Sequence, residues 1–163
     1  MTTEPPILYS FRRCPYAMRA RLAIHSSEVS AQLREIVLSD KAAEFLTSSP
    51  KGTVPVIVVN NRVIDESLDI MHWALNKSDP EGWLNMPSIG YNWISLNDRE
   101  FKSAMDRIKY TDRFSNVNIS LERRNAIGFL HDLNTQIGDH AWMFGKNCSL
   151  ADMAILPFVR QFY

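Results

Sequence analysis

Two cysteines, Cys14 and Cys148, are all that 163 residues contain, and they lie far apart. That excludes a disulfide scaffold and a cysteine-cluster zinc site. The four histidines, His25, His72, His131 and His140, show no H-E-x-x-H or similar metal spacing, so no metal is expected. Charge of one sign is missing as well. Eighteen basic residues balance eighteen acidic ones, so no net field draws in nucleic acid, and Arg123-Arg124 is too short a basic run to do so. No stretch approaches the roughly 18 apolar residues of a membrane span, and Met1 to Pro6 has neither a basic n-region nor an apolar core. Repeats and low-complexity tracts are lacking. These absences predict a cytoplasmic protein in a reducing compartment, where a single cysteine matters as a thiol.

What is present is an ordinary globular composition, 45% hydrophobic and 22% charged. The pattern changes near Asn76. Before it, short β-rich runs alternate with helical ones: strand Ile7 to Tyr9, a helix opened by Pro15 and running to about His25, strand Leu33 to Leu38, a short helix from Lys41 to Leu46, strand Val54 to Val59, strand Val63-Ile64 and a helix from Leu68 to Leu75. Asn60-Asn61 between two β-branched runs predicts a tight hairpin, because asparagine tolerates positive φ. The alternation implies a parallel crossover and the hairpin an antiparallel edge. Residues 77–87 hold two prolines and a glycine and read as a linker. Beyond it the pattern is helical only. Phe101, Met105 and Ile108 make one stripe, with Ile94 a heptad earlier. Ala126, Leu130, Leu133 and Ile137 make a second. Ser149-Leu-Ala-Asp152 is a capping signal, and the apolar run Met153 to Val159 predicts a buried helix that Pro157 should kink or interrupt.

Three places could carry chemistry. Cys14 stands where a strand hands over to a helix, and Arg12 and Arg13 precede it. A helix N-terminus and neighbouring cations each favour a thiolate, the form that attacks a disulfide sulfur. The bland alternative is a small buried hydrophobe. Val54-Pro55 opens a strand with a residue that cannot donate to a ladder. A cis bond would turn the chain there and leave the Val54 backbone open to an extended ligand, whereas a trans proline at a strand start is the commoner arrangement. Glu66-Ser67 begins a helix, where an anion could sit and Glu66 could meet an ammonium, or where the pair merely caps. Arg19 and Arg21 read by default as a solvated helix face, and Trp73, Trp83, Trp93 and Trp142 as core or interface.

Taken in order, Cys14-Pro15-Tyr16-Ala17, Thr53-Val54-Pro55-Val56 and Glu66-Ser67-Leu68-Asp69-Ile70, followed by Ser149-Leu-Ala-Asp152, resemble the glutathione S-transferase family. The likeness is to its cysteine-type members, omega-like transferases and two-domain glutaredoxin. It implies a thioredoxin-like α/β domain over residues 1–76 and an all-α domain over 88–163. Family helices continue beyond the buried one, so a chain stopping at Tyr163 reads as an incomplete helical domain. The resemblance also implies glutathione as co-substrate. Cys14 would form the mixed disulfide, and Val54 before a cis Pro55 would pair with the cysteinyl backbone. Glu66 and Ser67 would hold the γ-glutamyl end, and Lys41 would meet the glycyl carboxylate. Ala17 stands where a dithiol glutaredoxin has its second cysteine, which implies monothiol chemistry on a small-molecule or protein thiol or disulfide. Tyr9 and Ser10 are the minor alternative activators. A homodimer is implied, with no nucleic-acid or membrane partner. Conjugation of glutathione to hydrophobic electrophiles and a non-catalytic binding module are the competing functions.

Overall fold

The computed structural model describes residues 4–163. The chain forms two compact units, the first ending at Glu81 and the second running from Gly82 to Tyr163.

The first unit is a four-stranded sheet in the order β2-β1-β3-β4. β1 (Ile7–Ser10) pairs parallel with β2 (Gln32–Glu35) and antiparallel with β3 (Val56–Val59), which pairs antiparallel with β4 (Arg62–Ile64). Helix α1 (Pro15–Ser26) makes the parallel crossover, and the hairpin turns at Asn60 and Asn61 with φ of 47° and 62°. Both the crossover and the hairpin are as expected, and both asparagines take the left-handed conformation a primed turn requires.

Strand alternation splits the apolar residues between two faces. Leu8, Ile57, Ala20 and Ile70 pack the sheet against α1 and α3 (Ser67–Leu75). Tyr9, Val56, Ile36 and Phe45 pack the other face against α2 (Ala43–Ser48). Each fully buried Ile or Phe side chain stabilises by about 1.5–3 kcal/mol.

Three elements of the first unit differ from the sequence reading by two residues or more. β2 stops at Glu35, where its only partner β1 ends, so Val37 and Leu38 lie exposed beyond the ladder. α2 begins at Ala43 rather than Lys41. β3 begins at Val56, after a cis Val54–Pro55 bond.

The second unit is helical throughout. α4 (Ile89–Leu96) continues through a π-helical turn, Asn97–Phe101, into α5 (Lys102–Lys109). α6 (Ile119–Ile137) packs on α5, and α7 (Leu150–Phe162) on α4. Phe101 stacks on Phe129 at 4.7 Å and meets Phe162 at 5.6 Å.

The capping box of α7 is complete. Ser149 Oγ accepts from Asp152 N, and Asp152 Oδ2 accepts from Ser149 N at 2.8 Å. Asp152 Oδ1 also accepts from Met143 N at 2.9 Å, and Trp83 O accepts from Leu150 N at 2.8 Å. A buried carboxylate and a residue from the expected linker thus hold the helix start. Pro157 does not interrupt α7, which runs on to Phe162. The one backbone bond proline removes is outweighed by the buried Ile155 and Phe158 on either side. Nor is α7 buried all round, since Leu156 is 48% exposed.

Candidate active site

Cys14 is the N-cap of α1, with extended backbone (φ −79°, ψ 120°), and Pro15 follows at the first helical position. Proline suits that position because the N–H it lacks would have no helical partner. Cys14 N donates to Phe11 O at 3.0 Å, and Cys14 O accepts from Met18 N at 2.9 Å. The half-buried sulfur therefore sits at the positive end of α1. It donates to Val54 O at 3.7 Å, across forty residues of sequence.

The loop before β3 brings in the next groups. Ser49 Oγ accepts from Thr53 N at 3.2 Å and donates to Thr53 O at 3.0 Å, fixing the approach to Val54. Gly52 has φ +63°, and a Cβ there would lie 3.2 Å from Lys41 Nζ. The Lys41 ammonium thus reaches over this loop from just ahead of α2. Glu66 is the N-cap of α3 and Ser67 its first residue, and neither side chain caps the helix. Glu66 stays exposed, while Ser67 is buried.

All six expected residues, Cys14, Lys41, Val54, Pro55, Glu66 and Ser67, lie in the first unit. Cys14 donates to the Val54 carbonyl, and the Lys41 ammonium lies over Gly52, two residues before Val54. Two further residues extend the set. Lys51 Nζ lies 3.1 Å from Asp65 Oδ2 and 3.6 Å from Glu66 Oε1, and these carboxylates hold its pKa above the ordinary lysine value, Asp65 foremost. A ligand ammonium at Glu66 would share that carboxylate with Lys51. Arg19 Nη1 donates to Ser67 Oγ at 3.5 Å, and its guanidinium lies 5.3 Å from the Tyr16 ring centroid.

Arg19 corrects the sequence reading, which placed it on a solvated face. It is 0% exposed. Ala17, Ala20 and Ala23 on the same helix are buried as well. Arg21 is half-buried, and it donates to Ser10 Oγ. Ser10 and Tyr9 are both buried, and the Tyr9 hydroxyl accepts from Arg34 at 3.5 Å. The minor alternative activators therefore belong to the interior.

Chemically the set comprises a thiol at a helix N-terminus, the Val54 backbone ahead of β3, an ammonium, an exposed carboxylate and a second helix N-terminus above a buried guanidinium. Such a set is complementary to a short peptide carrying sulfur, carboxylates and an ammonium. Among the described residues no group of side chains could hold a metal ion, and no helix is long and apolar enough to cross a membrane.

Comparison with known proteins bears on the fold and the family. The family described as "Glutathione S-transferase, N-terminal domain" matches residues 8–82. "Probable glutathione S-transferase parA" of Nicotiana tabacum is 25% identical over 176 residues, covering 100% of this chain and 76% of its own length. Among solved structures, glutathione transferase Omega 3C from Trametes versicolor superposes with a TM-score of 0.83 at 20% identity, over 97% of this chain and 73% of that one. Rice GST1, solved in complex with glutathione, gives 0.78 at 22% identity, over 96% and 75%. The fold is that of a glutathione transferase, a thioredoxin-like α/β domain followed by a helical one, and residues 8–82 match the N-terminal domain of the glutathione S-transferase family.

Proposed function

We propose that this protein is a glutathione-dependent thiol transferase acting through Cys14. The observation that carries the reading is the sulfur at the N-cap of α1, 3.7 Å from the carbonyl of Val54. In this reading glutathione lies along the Val54 backbone. Lys41 meets its glycyl carboxylate, Ser67 and the start of α3 its γ-glutamyl carboxylate, and Glu66 its ammonium.

The Cys14 thiolate attacks the glutathionyl sulfur of a mixed disulfide. A Cys14–glutathione disulfide forms, the original disulfide breaks, and the substrate sulfur leaves with the electron pair and takes up a proton. A second glutathione, as thiolate, attacks the glutathionyl sulfur held on Cys14. Oxidised glutathione departs, and Cys14 is again a thiolate. In net, the substrate thiol is released, one glutathione is oxidised, and the glutathionyl group the substrate carried leaves with it as oxidised glutathione. Positioning of the peptide supplies most of the rate. With Ala17 in place of a second thiol, the enzyme cannot resolve the intermediate internally.

Cys14→Ser tests this. Turnover of a glutathione mixed disulfide should be lost while immobilised glutathione is still bound. Full turnover by the variant refutes the mechanism. Conjugation to hydrophobic electrophiles is the second reading, favoured by relatives named simply as glutathione S-transferases. An assay with an aromatic electrophile separates the two. We further take the protein to work as a homodimer in a reducing cytoplasm, as its family resemblance implies. Sedimentation velocity measures the former.

A further inference from the structure

The loop carrying Cys14 is fixed from behind. Arg21 Nη1 donates to Ser10 Oγ at 2.5 Å and Phe11 O at 3.4 Å, and Nη2 to Arg12 O at 3.1 Å. Arg12 N donates to Glu35 Oε1 at 2.5 Å. Arg21 and Glu35 are thereby spent within the fold. Arg12 and Arg13 are exposed, and neither guanidinium forms an ion pair with a described residue. Arg13 lies 5.8 Å from the Phe11 ring centroid.

Phe11, Arg12, Arg13, Arg21, Leu33 and Glu35 together line a cavity of about 690 Å³. Its walls carry three cations and one anion in a chain of zero net charge, and its apolar side is Phe11 with Leu33, itself 54% exposed. The volume lies in the range that holds a small molecule or a few side chains, about 300–1,000 Å³. The cavity adjoins the Cys14 loop, since Arg13 is bonded to Cys14 and Cys14 N closes the turn on Phe11 O, while the sulfur itself faces Val54 O.

A mixed disulfide has two halves. The residues assigned to glutathione use none of the six that line this cavity, so the other half needs contacts of its own. We propose that the cavity receives that half as an acidic peptide segment flanking the glutathionylated cysteine. Its carboxylates meet Arg12 and Arg13, and an apolar side chain covers Phe11 and Leu33. This rests on the reading of Cys14 given above.

Two glutathionylated peptides, identical except for Glu-Leu or Lys-Leu flanks, test it. Wild-type kcat/KM should favour the acidic peptide by about tenfold at low ionic strength, and by much less in about 0.5 M salt, where screening shortens the range of exposed charges. The ratio within one enzyme cancels any change in Cys14 itself. Arg12→Gln/Arg13→Gln should bring the ratio near one, and Arg12→Glu/Arg13→Glu should invert it. Circular dichroism confirms that each variant is folded. A ratio near one in wild type, or one unmoved by both variants, overturns the proposal. A fluorescent pair of the same peptides with serine for cysteine, followed by anisotropy, needs no thiol chemistry. If thiol transfer fails but the acidic peptide binds more tightly and loses that advantage in Arg12→Glu/Arg13→Glu, the docking surface stands and the reading of Cys14 falls. Equal binding of both peptides overturns the docking surface.

Discussion

Removing Arg21 should loosen the Cys14 loop more than any other single change outside the set assigned to glutathione. Its guanidinium makes three hydrogen bonds to residues 10–12, at 2.5, 3.1 and 3.4 Å. A bond from a charged donor contributes about 1.5–3 kcal/mol when buried. This site is half-exposed and the longest bond is weak, so about 1 kcal/mol for each of the two shorter ones is the reasonable figure. Arg21→Ala should therefore cost about 2 kcal/mol, or about 4–8 °C in Tm for a protein of this size. Arg21→Lys keeps the charge, but one ammonium cannot span three acceptors in the fork geometry of a guanidinium. It should recover about half. Thermal and urea melts give the stability. A glutathione mixed-disulfide assay gives the functional share, which has a ceiling near thirtyfold in kcat/KM if the whole 2 kcal/mol is felt in the transition state. Melting within about 1 °C of wild type together with unchanged turnover would refute the clamp.

Three further outcomes follow from the geometry. Asp152→Ala removes the acceptor for Met143 N, Ser149 N and Ser149 Oγ and leaves buried donors unpaired, so urea denaturation should show a loss of about 3–4 kcal/mol. Burial pushes the His72 imidazole below its ordinary value of 6.5, against a smaller upward pull from Asp69. The unfolded chain then binds the proton more readily, so this contribution is complete above about pH 6.5 and is lost as pH falls from there through the lower folded value; His72→Gln should flatten the stability profile between about pH 7 and 5. Gly52→Ala places a Cβ at φ +63° and 3.2 Å from Lys41 Nζ, which should lower stability by about 1 kcal/mol and raise KM for glutathione severalfold with kcat little changed.

Local signals account for much of what was readable. The Asn60-Asn61 turn and the Ser149–Asp152 box each encode their structure within a few residues, and each formed as read. The Cys14, Val54-Pro55 and Glu66-Ser67 motifs fall in one unit. What escaped depends on tertiary contact. Arg19 is buried because α1 packs on α3, and no pattern on α1 alone distinguishes it from a solvated arginine. Glu35 meets Arg12 across 23 residues of sequence, and Trp83 caps a helix that starts at Leu150. The π-helical turn adds a residue without breaking the apolar stripe, since Ile94, Phe101 and Met105 all remain buried. Pro157 illustrates the converse, a strong local breaker overruled by the packing around it.

The central claim is that Cys14 captures glutathione covalently. Intact mass after incubation with oxidised glutathione, followed by peptide mapping, tests it most directly. The account predicts one glutathionyl adduct, on the peptide holding Cys14, with Cys148 in the other unit unmodified. No adduct under conditions that modify a control thiol, or an adduct on Cys148 with Cys14 free, would contradict it.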